Sequence, residues 1–375
     1  MKSSLIKIRL GDYISLLTDY HSGGSYQTMA ENTKILYKPD YAVMIRSLNF
    51  ERDDFDNDLI YCDKKSYDFM NYCHVQENDI LMNKIANPGN VYLMPKVDYK
   101  TVCGMNLFLM RFKNISQKYI YYVMKNKEDY IKTKTHGSTT KTITKEDVRE
   151  LRFYIHSNPA ERDAVENVLS NIDEKIYINK KIQKKIFEYL NLIYLEEFSQ
   201  KETNGTINDL IVEEKKSKIQ VNETENVKGI YPFFTSGEDV NEWDEYLVDG
   251  VNLFLSTGGN ASIKIYDGKA AYSTDTYVVQ GKNDSTIYLY FFIKNVIDKI
   301  NDWHFLGSGL KHLQKDSFSQ IKIYIPNSDE LTNFNSKAKE LVTILSQKMD
   351  ENRKLIELKK ELLPLLMNGQ IRLTK

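Results

Sequence analysis

The sequence is poor in the features that mark secreted, membrane-bound or highly charged proteins. Only three cysteines occur, Cys62, Cys73 and Cys103. Their number is odd and no CxxC spacing links them, so neither a disulfide frame nor a zinc site is indicated and reduced structural thiols are expected. No apolar run approaches the ~20 residues that a membrane helix needs, so no membrane contact is expected. The opening MKSSLIKIRLGDYISLL lacks the apolar stretch and small-residue cleavage site of a secretory signal, and a cytoplasmic protein is expected. Neither sign of charge dominates: 51 Lys and Arg face 52 Asp and Glu, for a net charge of −1. That balance argues against a nonspecific polycation, although local distribution still decides nucleic-acid contact.

Catalytic signatures are absent as well. No Asn/Asp-Pro-Pro-Tyr/Phe tetrapeptide occurs; ANPGN (86–90) lacks the second proline and the aromatic residue. There is no GxGxxG or Walker loop, and STGGN (256–260) is too short and lacks the lysine. The six histidines show no metal-ligand spacing. Glu357-Leu358-Lys359 looks like the end of a nuclease carboxylate motif but falls within a helical pattern, where a solvated helix face is expected. No active site is read, and no cofactor is expected in this chain.

What the sequence does contain is a repeat. At 375 residues it is too long for one ordinary core. GSTTKTITKEDVRELRFYIH (137–156) returns 170 residues later as GSGLKHLQKDSFSQIKIYIP (307–326). At that offset Gly137, Ser138, Lys141, Lys145, Tyr154 and Ile155 fall on Gly307, Ser308, Lys311, Lys315, Tyr324 and Ile325. NPGNVY (87–92) falls on TGGNAS (257–262), and KYIYYVMKN (118–126) resembles IYLYFFIKN (287–295). RLGDYI (9–14) can be laid on TINDLI (206–211). Each half is read as short strands with Gly/Asn turns, one short aromatic helix and a Gly-Ser-Lys loop.

A long helical pattern follows each unit. The first opens at Asn158-Pro159, with Glu161 placed to close a capping box; the second opens with Asn327 and Glu330 in the same relation. Residues at alternating spacings of four and three run Val165, Leu169, Ile172, Ile176, Asn179, Gln183, Ile186, Leu190 and Ile193. Adding 173 to each gives the second stripe, from Ala338 to Leu366. Asn179 and Asn352 occupy the same beat, where a buried asparagine sets coiled-coil register. Because the first helix must carry the chain to the second domain, the second can pack on it only by running back. The expected fold is α+β: two α/β domains in pseudo-two-fold repeat, separated by an antiparallel two-helix coiled coil. The segments are 1–157 for the first domain, 158–200 for its spacer helix, 201–326 for the second domain and 327–375 for its helix. From Pro159 to Tyr194 the first helix would span ~54 Å, longer than one ~34–36 Å turn of B-DNA.

This order of motifs resembles the specificity (S) subunits of type I restriction–modification systems, over essentially the whole chain. The residues that carry the resemblance are the Gly-Ser-x-x-Lys-x-(Ile/Leu) loops at 137–143 and 307–313, the strands LRFYI and IKIYI, the helix openings and the ending LKKELLPLLMNGQIRL (358–373). Such helices often open Pro-x-x-Glu-Gln, whereas here Arg162 and Leu331 follow the glutamates. The resemblance implies a non-catalytic chain that reads a bipartite double-stranded DNA target, one half-site per domain. Two modification subunits, carrying S-adenosylmethionine and methylating adenine, and restriction subunits would dock on it. A protein-binding scaffold with duplicated domains, or the specificity module of a self-contained methyltransferase or nuclease assembly, are the alternatives.

Within that reading, Ser138, Thr139 and Lys141, and Ser308, Lys311 and His312, are candidates for phosphate contact, because small residues let backbone amides approach and lysine supplies a point charge. Lys84, Asn87 and Asn90, with Asn260 and Lys264, are candidates for base contact through amide and ammonium groups. Arg46, Tyr26 and Gln27 complete the set. Each also has a purely structural explanation, as a chain turn or a strand connection.

Overall fold

The computed structural model describes residues 4–225, 227–307, 309 and 311–373. It resolves into two compact units, residues 1–173 with 357–375, and residues 174–356.

The first unit is closed by its own ends. Strand Leu5–Arg9 pairs antiparallel with Arg152–His156, Leu5 opposite His156 and Arg9 opposite Arg152. Beside this ribbon lies an antiparallel sheet in the order Ile14–Asp19, Leu107–Phe112, Ile80–Asn83, Val91–Leu93. Its central strands are buried on both faces and read as continuous apolar runs rather than alternating ones. One face carries helix Gln117–Lys125, whose Tyr119, Ile120, Val123 and Met124 enter the core with Ile80, Met82, Phe108 and Phe153. The Tyr119 hydroxyl is tied to His156, 2.7 Å from Nδ1, so the helix is pinned to the closing strand. A five-stranded sheet, ordered Ile35–Leu36, Ile60–Cys62, Ala42–Ile45, Thr101–Cys103, His74–Val75, covers the other face. Cys62, Cys73 and Cys103 are buried free thiols in its core.

The second unit repeats this frame. Gly205–Thr206 pairs with Lys322–Ile323, and the antiparallel sheet runs Ile211–Glu213, Thr276–Gly281, Val251–Ser256, Ile263–Asp267. The order is that of the first unit, strand for strand. Helix Thr286–Asn295 occupies the place of Gln117–Lys125, and its Tyr288 donates a hydrogen bond of 2.5 Å to the Tyr324 carbonyl, as Tyr119 binds His156. The secondary sheet differs, with three strands, Val240–Trp243, Tyr231–Phe234 and Ala271–Tyr272. Both secondary sheets nevertheless keep one parallel pair, Val43–Ile45 with Thr101–Cys103 and Phe233–Phe234 with Ala271–Tyr272.

The long helices run Pro159–Phe198 and Ser328–Met367. Among the described residues no helix is long and apolar enough to cross a membrane. Within the second unit they pack antiparallel: Lys337 pairs with Glu197 at 2.6 Å, and Asn179 meets Asn352 at 2.9 Å. Within the first unit the direction is the same, with Asp173 paired to Lys359 and Glu161 to Arg372. Most of the predicted seam is buried, but Ile356 is 52% exposed. The seam is also less independent than a free coiled coil. Val165, Leu169 and Leu366 join the core of the first unit, while Ile186, Leu190, Ala338, Val342 and Leu345 join that of the second.

The helix caps differ from each other. Asn327 Oδ1 accepts from the Glu330 amide and Glu330 Oε2 accepts from the Asn327 amide, a complete capping box. At the first helix Asn158 caps the Ala160 amide instead, and the Glu161 carboxylate is taken by Arg372 at 3.0 Å. The expected box there does not form: Glu161 Oε1 turns to Arg372, and its Oε2 has no partner among the described residues.

Asn179 and Asn352 are both buried. Asn179 Nδ2 donates to Asn352 Oδ1 and, at 3.0 Å, to Glu351, while Asn352 Nδ2 donates to the Ile176 carbonyl at 3.3 Å. Replacing one amide strands the other in an apolar seam, whereas replacing both removes the unpaired group. Asn179→Leu is expected to lower stability by about 1–3 kcal/mol, and the Asn179→Leu/Asn352→Leu double variant to recover most of it, as read from urea unfolding.

Candidate nucleic-acid interface

Each unit presents the same pair of loops, brought together by the frame. In the first, His136 and Thr142 exchange two backbone hydrogen bonds of 2.8 Å and close a loop over 137–141. Thr142 also bridges to Ile85, and the Ile143 amide donates to the Lys84 carbonyl at 3.0 Å. The Gly-Ser-Lys loop is thereby stitched to the Asn/Gly turn at 83–90. In the second unit Leu306 pairs with His312 and Phe305 with Leu313. Gly258 bridges to His312, the Gly259 amide donates to the Lys311 carbonyl and the Leu313 amide to the Thr257 carbonyl, each at 3.0 Å. The loop-closing pairs of the two units lie 170 residues apart, so the repeat extends to individual hydrogen bonds.

Two glycines are dictated by this geometry. Gly137 has φ of +101°, and a Cβ there would stand 2.4 Å from the Thr140 carbonyl oxygen. Gly89 has φ of +98° and would meet Ile131 and Lys132. Both conformations favour glycine; the Gly137 site has no room for a side chain, and the Gly89 site is tight.

The predicted site residues fall into two groups. Ser138, Thr139 and Lys141 are exposed at the first loop tip, Lys311 and His312 in the second loop, and Asn87 and Asn260 in the adjoining turns. Ser308 lies outside the described residues. Neither Lys141 nor Lys311 has a side-chain partner among the described residues. Tyr26 is 85% exposed, beside Gln27, which donates to Glu31 at 2.9 Å.

The other group is committed internally. Arg46 donates to the Asp58 carbonyl. Asn90 is half-buried, its backbone closing the turn with Asn83. Lys264 donates to the carbonyls of Thr235, at 3.1 Å, and Gly237, and burial lowers its pKa. Lys84 is 16% exposed and paired with Asp19. The stretch from Arg111 to Lys145 holds nine Lys and Arg against two acidic residues, yet it too is partly internal: Arg111 binds Asp79 and Lys125 binds Glu128, at 2.7 and 2.8 Å. Local positive charge in the sequence thus overstates the cations available at the surface.

Sequence reasoning missed Asp19, the last residue of its strand and 6% exposed. Lys84 and Lys145 both pair with its carboxylate, Lys145 Nζ lying 2.7 Å from Oδ1, and Ser22 donates to Oδ1 at 2.6 Å. Burial pushes this acid up, but the hydrogen bonds from Lys145, Lys84 and Ser22 outweigh it and hold the pKa at about 2. His21, at 3.9 Å, is pushed down by burial and by Lys84. The counterpart of Lys145 in the second unit, Lys315, faces Glu213 at 3.4 Å and lies over the Tyr277 ring. The only sequence signal for these struts was the matched pair Lys145 and Lys315, whose partners lie far away along the chain.

The comparisons agree with this architecture. The profile of the family described as "Type I restriction modification DNA specificity domain" matches twice, at residues 30–188 and 201–363, and the chain belongs to that family. It is 29% identical over 161 residues to the type I restriction enzyme EcoDI specificity subunit of Escherichia coli, covering 41% of this chain and 35% of that relative. The match therefore spans about a third of the Escherichia coli protein's length. It is 23% identical over 292 residues to a protein described as a type I specificity subunit in Mycoplasma genitalium, covering 68% of this chain and 72% of that one. Among solved structures it is similar to the crystal structure of a type I restriction-modification system S subunit from M. genitalium. The TM-score is 0.62 at 16% identity, over 99% of this chain and 97% of that one, a likeness of fold.

Because the Asp19 pKa is depressed, its contribution to stability is fully present above the ordinary value of 3.8 and is lost as pH falls through about 2. Urea unfolding of the full chain and of Asp19→Asn should differ by about 2 kcal/mol near neutral pH, and the gap should close between about pH 4 and pH 2.

Proposed function

We propose that this chain is the sequence-recognition subunit of a type I restriction–modification complex, with each unit reading one half of a bipartite duplex target. The observation that carries this reading is the duplicated loop pair. A glycine-turned loop, its lysine without a side-chain partner among the described residues, is stitched twice to an Asn/Gly turn, on frames with the same strand order. Lysine ammonium groups and exposed backbone amides suit phosphate; asparagine amides in the adjoining turn suit the edge of adenine. The long helices act as the spacer between half-sites and as the docking surface for two adenine-methylating modification subunits. Restriction subunits join in the full complex. The chain itself performs no chemistry, and S-adenosylmethionine belongs to its partners.

Affinity on this reading is modest without partners, since net charge is near zero and several cations are internally paired. The test is a gel shift with the modification subunits present. Lys141→Glu and Lys311→Glu should each weaken binding to all duplexes alike and reduce the salt slope by about 1, while changing the number of base pairs between half-sites should abolish specific binding. A pure protein scaffold would tolerate both charge reversals together.

A further inference from the structure

Three segments converge on Asp19. The loop 21–28 enters through Ser22, which donates to Asp19 Oδ1 at 2.6 Å while its oxygen accepts from the Asp19 amide at 3.1 Å. The turn 83–90 enters through Lys84, which pairs with Asp19 Oδ2 and lies 3.2 Å from His21 Nδ1. The Gly-Ser-Lys loop enters through Lys145, the first residue of the helix that follows it. Lys145 bridges Asp19 Oδ1 and Ser22 Oγ, each at 2.7 Å. Asp19 itself is held in the sheet ladder opposite Phe108. A single buried carboxylate on a rigid strand therefore fixes the base of every loop in the first unit that carries a predicted contact residue, Arg46 excepted.

The chemistry of the cluster goes further than positioning. Two ammonium groups adjoining the proposed phosphate-facing loop are neutralised by one acid and shielded, Lys84 at 16% and Lys145 at 28% exposure. Released, they would add sequence-independent attraction to any duplex. Among the described residues the second unit shows no such hub: Lys315 meets one half-exposed glutamate and an aromatic ring.

We propose that Asp19 is a specificity-determining positioning residue, which locks three DNA-facing loops of the first unit into one arrangement and withholds Lys84 and Lys145 from nonspecific phosphate contact. This rests on the proposed function. Asp19→Asn should lower discrimination between matched and mismatched duplexes at least tenfold at one half-site and leave the other unchanged. Affinity for unrelated duplex should rise, with the salt slope steeper by about 1 to 2 as two cations become available. In hydrogen exchange, amides of 21–28, 84–90 and 137–144 should open together, with 257–260 and 311–313 unaffected. Asp19→Glu should restore part of the discrimination.

Lys84→Met and Lys145→Met guard against loss of folding in the Asp19 variants. Each should reduce discrimination at the same half-site without weakening nonspecific binding. If either lowers nonspecific affinity and the salt slope, those lysines touch phosphate directly and the proposal is overturned. Equal losses at both half-sites, or unchanged exchange in the three loops, overturn it too. A wild-type chain with no half-site preference would refute the proposed function instead, and the exchange measurement would still decide whether Asp19 couples the loops.

Discussion

The constraint on which the structure depends is the register of two forty-residue helices, each belonging partly to one unit and partly to the other. Apolar stripes with a repeat of seven can slide past each other in steps of one heptad with little change in buried area. The amide pair Asn179–Asn352 removes that freedom, because any slip places an amide against Ile or Leu. Around it, Lys175 and Lys348 converge on Glu351, at 3.2 and 2.8 Å, and add a charged rim to the polar contact. The cost of burying two amides is met by specificity of alignment, which apolar packing alone does not supply.

In each unit the helices also serve as walls of that unit's globular core. This dual use explains why the stripes are not filled by uniformly large residues. Ala338 is fully buried where the aromatic cluster of Tyr194, Phe198, Tyr288 and Phe334 crowds the seam. Lys359 sits where the first stripe has Ile186, and it answers Asp173, which also accepts the Tyr122 hydroxyl at 2.7 Å. A lysine at a seam position is tolerated because a carboxylate and an aromatic face meet it.

Much of this organisation was legible in the residues. The 170-residue offset predicted the doubled frame, because each loop closes over a local span set by its glycine and its β-branched or apolar flanks. The asparagine pair was legible because both members fall on one periodic beat. The hub at Asp19 was not, since its partners lie at Lys84 and Lys145 and nothing in the strand pattern distinguishes an acid that caps a turn from one that gathers two lysines. For the same reason Lys264 and Lys84 read as free cations although their ends are bound by carbonyls and a carboxylate. The ion pair that Glu161 makes instead of a capping box was hidden likewise: Arg372 lies more than 200 residues away in the chain. Local chemistry is readable from spacing, and ion pairs across the fold are not.

The first unit is assembled from both extremes of the sequence, with Leu366 and Met367 completing the core that holds Val165 and Leu169. Its contacts therefore have very high sequence separation, whereas the second unit is built from one uninterrupted stretch. During synthesis the later unit has all its residues in hand before the earlier one does. The apolar face around Val165 and Leu169 is covered by Leu366 and Met367, so its burial waits for the last turns of the second long helix.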